Sequence, residues 1–162
     1  MLHYLRVQNL VNMLNLLIVY YSQTGNTEKM ARAVEEGAKS VVGINTEMKY
    51  FVKPKELEEA DGIAFGMPTY YHDIGRDMKN LLEEASKEKI NLKGKIGAAF
   101  GSYGWSGEAP SMLVEIMKNR FQMYVVEPAL RIKYNPDEKG LDECRKLGKA
   151  IAEKMLEKSL KK

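Results

Sequence analysis

Short apolar runs alternate with amphipathic helical stretches along this chain, and no other feature narrows its fold so far. Leu14 to Tyr20, Thr46 to Phe51, Asp61 to Gly66, Lys95 to Gly101 and Tyr124 to Ile132 have the length and composition of strands. Residues 26–40 place Met30, Ala31, Val34 and Ala38 on one helical face, and residues 76–88 do the same with Met78, Leu81, Leu82 and Ala85. Strands that are apolar throughout are buried on both faces, the condition of a parallel sheet with helices above and below. The sequence therefore predicts an α/β fold, a three-layer α/β/α sandwich around five parallel strands.

Further helices fill in the pattern. One is expected to open near Glu108, with Pro110 in its first turn and Leu113, Ile116, Met117 and Phe121 turned inwards. The last is expected from about Asp137 to Lys158, with a frayed lysine-ended tail. Lys53 to Ala60 has room only for a small helix between the second and third strands.

The 162 residues suit one domain with its own core. Met13 immediately precedes the first strand, so residues 13–162 form the expected domain and residues 1–12 an extension. That extension reads either as a misread upstream start or as a short amphipathic helix using Leu2, Leu5, Val7 and Leu10. Asn9, Asn12 and Asn15 interrupt the apolar stretch there, which argues against a signal peptide. No run reaches the roughly 18 apolar residues of a membrane helix.

The single cysteine, Cys144, excludes an internal disulfide and a cysteine metal cluster, and points to a reducing, cytoplasmic setting. It stands three residues from both Leu141 and Leu147, on the expected buried face of the last helix, as an inert thiol. The net charge of +3 is too small and too evenly interleaved to imply a nucleic-acid partner.

Three loops leave the carboxyl ends of the expected strands, where ligands of parallel sheets gather. The first, Ser22-Gln23-Thr24-Gly25-Asn26-Thr27, opens straight into a helix N-terminus, whose free N–H groups and dipole favour an anion. It has neither the lysine of a triphosphate P-loop nor the GxGxxG spacing of a dinucleotide turn, so a terminal monophosphate is the fitting anion. By itself it fits equally a capped strand-to-helix turn. The second loop, Pro68-Thr69-Tyr70-Tyr71, has two adjacent aromatics. The third, Gly101-Ser102-Tyr103-Gly104-Trp105-Ser106-Gly107, has a tyrosine and the one tryptophan among small residues. Aromatic rings on loops suit stacking on a flat ligand better than core packing.

Together these loops resemble the phosphate loop and the two ring-flanking loops of the flavodoxin family, over Met13 to about Leu160. The resemblance implies a flavodoxin-like fold with strand order 2-1-3-4-5 and FMN as cofactor. Ser22, Thr24, Asn26 and Thr27 would hold the phosphate, with the backbone of Gln23 and Gly25. Pro68, Thr69, Tyr70 and Tyr71 would border one side of the isoalloxazine ring. Gly101, Tyr103, Gly104 and Trp105 would border the other, with Trp105 stacking and the backbone of Ser102 to Gly107 at the pyrimidine edge.

The second and third loops look closest to the flavodoxin domain of A-type flavoproteins. With only His3 and His72, the chain offers no histidine-rich diiron centre and reads as the flavin module alone. It also lacks the insertion in the last strand of long-chain flavodoxins. Two departures stand out. Tyr71 takes the place where many family members put the glycine of a redox-linked peptide flip, and a tyrosine at φ > 0 is strained. The mildly basic charge contrasts with the family's usual acidity, with Arg76 and Lys79 just after the second loop.

The resemblance implies an electron carrier working between redox-partner proteins, or with a small redox substrate. An FMN-dependent NAD(P)H or quinone reductase is the alternative, and a flavodoxin-fold scaffold without flavin a third reading. A phosphorylated receiver domain is disfavoured, because the first and third strand ends lack clustered aspartates. Oligomeric state is left open.

Overall fold

The structure, a computed structural model, describes residues 13–70 and 72–161. The expectations for residues 1–12 and the placement of Tyr71 fall outside the described residues. The elements are β1 (Leu14–Tyr20), α1 (Asn26–Lys39), β2 (Ile44–Lys49), α2 (Pro54–Glu59) and β3 (Gly62–Gly66). Then come α3 (Arg76–Lys87), β4 (Ile96–Tyr103), α4 (Glu108–Asn119), β5 (Tyr124–Val125), β6 (Leu130–Lys133) and α5 (Glu138–Leu160). The strands form one parallel sheet in the order β2-β1-β3-β4-β5, as expected, with β6 also paired to β4.

Every residue of β3 is buried, and Leu16 to Val19 are buried in β1, which is what doubly covered parallel strands require. On one face α1 and α5 pack Met30, Val34, Ile151 and Met155 over Leu16, Ile18 and Phe100. On the other, α2, α3 and α4 pack Leu57, Met78, Leu82, Leu113 and Met117 over Ile63 and Phe65. The α1–α5 crossing is close. A Cβ added to Gly37 would lie 1.9 Å from the Arg145 carbonyl oxygen, and one added to Gly148 would lie 1.9 Å from that of Val34.

The last helix starts as its sequence indicates, with the Asp137 carboxylate accepting from the Gly140 N–H at 2.8 Å. Cys144 is fully buried on this helix, and burial pushes its thiol up to about 12, so it is inert at neutral pH. Among the described residues no helix is long and apolar enough to cross a membrane.

Three strands differ from expectation. β4 runs on to Tyr103, held there by its pairing with β6, so Gly101, Ser102 and Tyr103 lie in the strand and the third loop begins at Gly104. Tyr124 to Ile132 is not one strand: Val126 to Ala129 interrupt it, with a cis Glu127–Pro128 bond between β5 and β6. Pro128 has no N–H to give to the ladder, so pairing stops and resumes beyond it. β5 pairs with the start of β4 (Ile96 opposite Tyr124) and β6 with its end (Phe100 opposite Leu130). β2 runs from Ile44 to Lys49, two residues ahead of the expected Thr46 to Phe51 at both ends. Tyr50 and Phe51 leave the ladder for an edge-to-face aromatic cluster with Tyr21, their rings 5.4 Å and 5.8 Å from it.

Candidate functional site

β1, β3 and β4 end side by side, with Tyr20 opposite Gly66 and Gly66 opposite Phe100. The chain passes from β1 to β2 on one side and on to β3 on the other, so the loops leaving β1 and β3 diverge and open a crevice at the carboxyl edge.

The loop after β1 is built to present backbone N–H groups. Gly25 caps α1 with φ 92, a left-handed conformation that costs other residues about 1 kcal/mol or more. The Ser22 hydroxyl accepts from the Gly25 N–H at 3.0 Å and from the Glu28 N–H at 3.3 Å, folding the loop over the helix start. Tyr50 pins it from outside: its hydroxyl donates to the Ser22 carbonyl oxygen at 2.9 Å and accepts from the Ser22 N–H at 3.3 Å. Thr27 is buried, its hydroxyl 3.0 Å from that of Ser102 and accepting from the Ser102 N–H at 3.3 Å. One threonine thus ties the start of α1 to the end of β4.

The loop after β3 follows β4 for a few residues more, with the Met67 N–H donating to Phe100 O at 2.9 Å. The Thr69 hydroxyl accepts from the Ala109 N–H at 3.0 Å, which fastens this loop to the first turn of α4. Tyr70 and Asp73 exchange backbone hydrogen bonds of 2.8 Å across a tight turn, in which His72 has φ 64. Tyr71 lies outside the described residues, so its part in the turn is not assigned.

Near the end of β4, Gly101 approaches the second loop closely, and an added Cβ would lie 1.9 Å from the Met67 carbonyl oxygen. Gly107 lies under the Tyr103 ring, where an added Cβ would meet it at 3.0 Å. Trp105 is 84% exposed and stands edge-on to His72, with ring centroids 4.9 Å apart. His72 Nδ1 is 2.9 Å from Glu108 Oε1, so a clasp on the exposed rim joins the second loop to the start of α4. Hydrogen bonds from His72 and then Ser106 hold the Glu108 carboxyl down to about 2.

A depressed carboxyl contributes stability that is present above its ordinary value of 4.5 and is lost as pH falls through about 2. Glu108→Gln is therefore expected to lower stability at pH 5 and to match the parent by pH 2. Paired acid-unfolding curves check this, and a difference that persists at pH 2 rules out the clasp as its cause.

The three loops meet around a cavity of about 280 Å3. Ser22, Gln23, Thr24, Asn26 and Thr27 line it from the first loop, Pro68, Thr69 and Tyr70 from the second, and Ser102 and Tyr103 at the end of β4 with Gly104 just after it. Gly25 shapes the cradle as the helix cap. Gly101, Trp105, Ser106 and Gly107 are not among the lining residues; they pack behind it or stand on its rim. Tyr134, after β6, completes the lining, and it and Tyr50 were not foreseen from sequence. Their only signals were an aromatic at a strand's end and a Tyr134-Asn135-Pro136 turn.

The cavity fits a phosphorylated flavin. No carboxylate is among its lining residues, it carries hydroxyls and amides beside a helix start, and it has tyrosines on both flanks. A second cavity of about 450 Å3 shares Tyr70 with it and is otherwise lined by Tyr21, Tyr50, Met67, Asp73 and Asp77 among others. It has no such cradle.

A parallel α/β sandwich whose strand-order crevice gathers a hydroxyl- and amide-bearing loop at a helix start with aromatic-bearing segments from two further strand ends has the architecture of a nucleotide-binding domain. The sequence model of the flavodoxin family matches residues 18–148, and the chain belongs to that family, whose members are FMN-binding electron-transfer proteins. It is 39% identical over 145 residues to the type A flavoprotein fprA of Rhodobacter capsulatus, covering 85% of this chain and 32% of that protein. It is 30% identical over 156 residues to a flavodoxin of Aquifex aeolicus, covering 85% and 84%. An archaeal flavodoxin structure superposes with a TM-score of 0.79 at 44% identity, covering 88% of this chain and 99% of that one. The chain spans about a third of the length of the A-type protein.

Proposed function

We propose that this chain binds FMN in the three-loop cavity and carries electrons between redox partners in a reducing cytoplasm. What carries the reading is that one cavity joins the Ser22 to Thr27 cradle to residues of both aromatic-bearing loops, locked together by the Thr27–Ser102 hydroxyl pair. FMN supplies the electron chemistry when bound. The residues of the chain orient it: the first loop holds the phosphate, while Pro68, Thr69 and Tyr70 face Tyr103 and Gly104 across the ring's place. No acid or base is needed for such transfer.

Trp105, exposed on the rim, leaves that side of the cavity accessible to a second planar molecule, and this observation favours a reductase as the second reading. Titration of the purified protein tests both. A yellow protein that reconstitutes with FMN and is reduced only through a partner is the expected result. A protein that bleaches with NAD(P)H alone is a reductase, and one that refuses FMN ends both readings.

The basic pair after the second loop is a weak docking patch, because the Lys79 ammonium is engaged by the Asp73 carboxylate. Electron-transfer rate with an acidic donor protein is therefore expected to change less than about threefold between low and physiological salt. Stopped-flow measurements across that range check it, and a steep fall with salt restores the patch.

A further inference from the structure

The turn after β6 reaches into the site that the other three loops form. Tyr134 lines the same cavity as Asn26, Thr27 and Tyr103. Its N–H donates to the Tyr103 carbonyl oxygen at 2.7 Å, so the turn hangs from the end of β4. One residue later, the Asn135 side-chain oxygen accepts from Lys29 Nζ at 2.8 Å, and Lys29 belongs to the first turn of α1, beside the cradle. The turn is thereby tied to the end of β4 and to the helix into which the first loop leads.

Packing within the protein does not account for a tyrosine at this position. Its φ of 60 lies in the left-handed region, which disfavours bulky residues, and the residue is 61% exposed. Glycine or asparagine would serve the turn better. The Lys133 ammonium stands 5.3 Å from the ring's centroid, which places a cation beside it.

We propose that Lys133-Tyr134-Asn135 is a fourth cofactor-holding segment, in which the Tyr134 ring covers FMN between its phosphate and its ring system while Lys133 and Lys29 attract the phosphate. The inference rests on the FMN reading above and extends it to a loop outside the three that carried that reading. A flat aromatic laid along the flexible ribityl chain removes apolar surface from water and slows escape, and positive charge beside the cradle speeds capture of the dianion. The first effect does not depend on the phosphate. The second does, and it fades with salt.

The test titrates the full chain, stripped of flavin, with FMN and with riboflavin. Tyr134→Gly removes the ring while easing the backbone. It is expected to melt at or above the parent temperature yet bind both flavins about 10-fold more weakly. Tyr134→Phe keeps the ring and is expected to stay within about twofold of the parent on both. Lys133→Gln is expected to weaken FMN about threefold at low salt, to spare riboflavin, and to converge on the parent at high salt.

If Tyr134→Gly folds poorly, Tyr134→Asn, which tolerates the same backbone, replaces it. A folded Tyr134→Gly or Tyr134→Asn protein that binds FMN as the parent does overturns the proposal. The paired Ser22→Ala, Thr27→Ala protein separates the two levels. If it too keeps full FMN affinity, the cavity is not the FMN site; if it alone loses affinity, only the fourth segment is wrong.

Discussion

Gly148→Ala is expected to destabilise the domain by roughly 3 kcal/mol, a large part of the roughly 5–15 kcal/mol that holds a domain folded. The added methyl would sit 1.9 Å from the Val34 carbonyl oxygen, 2.8 Å from its carbon and 3.0 Å from the Ala38 nitrogen. All three are backbone atoms of α1, so no rotamer change makes room. The helices must separate, and Gly37 cannot help, since it abuts Arg145 in the same way from the other side. Separation opens the layer of Met30, Val34 and Ile151.

Gly62→Ala provides the contrast. There the new methyl meets the Met155 sulfur at 2.6 Å, and a flexible thioether can move aside. Urea unfolding of both variants checks the argument. A Gly148→Ala protein within about 1 kcal/mol of the parent would sink the tight-crossing account.

The paired Ser22→Ala, Thr27→Ala protein is expected to lose at least about 100-fold in FMN affinity while riboflavin binding falls only severalfold. A hydrogen bond to a charged group is worth roughly 1.5 to 3 kcal/mol, so two lost hydroxyls suffice for that factor. Both also shape the loop. Ser22 gathers the Gly25 and Glu28 N–H groups, and Thr27 holds Ser102 across the site, which is why riboflavin binding also falls somewhat. Fluorescence titration with the two flavins reads the ratio directly. Equal losses on both would mean that the phosphate lies elsewhere.

The architecture was legible because it is written in contiguous signals. Leu16 to Val19 and Gly62 to Gly66 carry no polar side chain, and a run of that kind has few homes other than a covered parallel sheet. The Ser22 to Thr27 loop was legible for the same reason, being six adjacent residues between a strand and a helix. Tyr50 and Tyr134 were not. Each reaches the site from a segment distant in sequence, and nothing local distinguishes a tyrosine that pins a loop from one at the surface.

The last strand shows the converse, since its signal was present and outweighed. Pro128 stood inside Tyr124 to Ile132, but the surrounding apolar residues favoured one continuous strand. Trp105 shows what composition leaves out: its size and loop setting point to a stacking ring, and only the fold shows that it also meets His72 edge-on.

The break in that last strand has a use beyond explaining its pairing. β5 and β6 each hold β4 independently, at opposite ends, and Glu127 and Pro128 between them are exposed. Lengthening a surface connection costs little, since each doubling adds only about 0.6 kcal/mol of closure entropy. Guest sequence can therefore be spliced between Glu127 and Pro128 without dismantling the sheet. A reporter peptide or a tether to a redox enzyme placed there would lie at the sheet's outer margin, one short strand away from the turn that bears Tyr134.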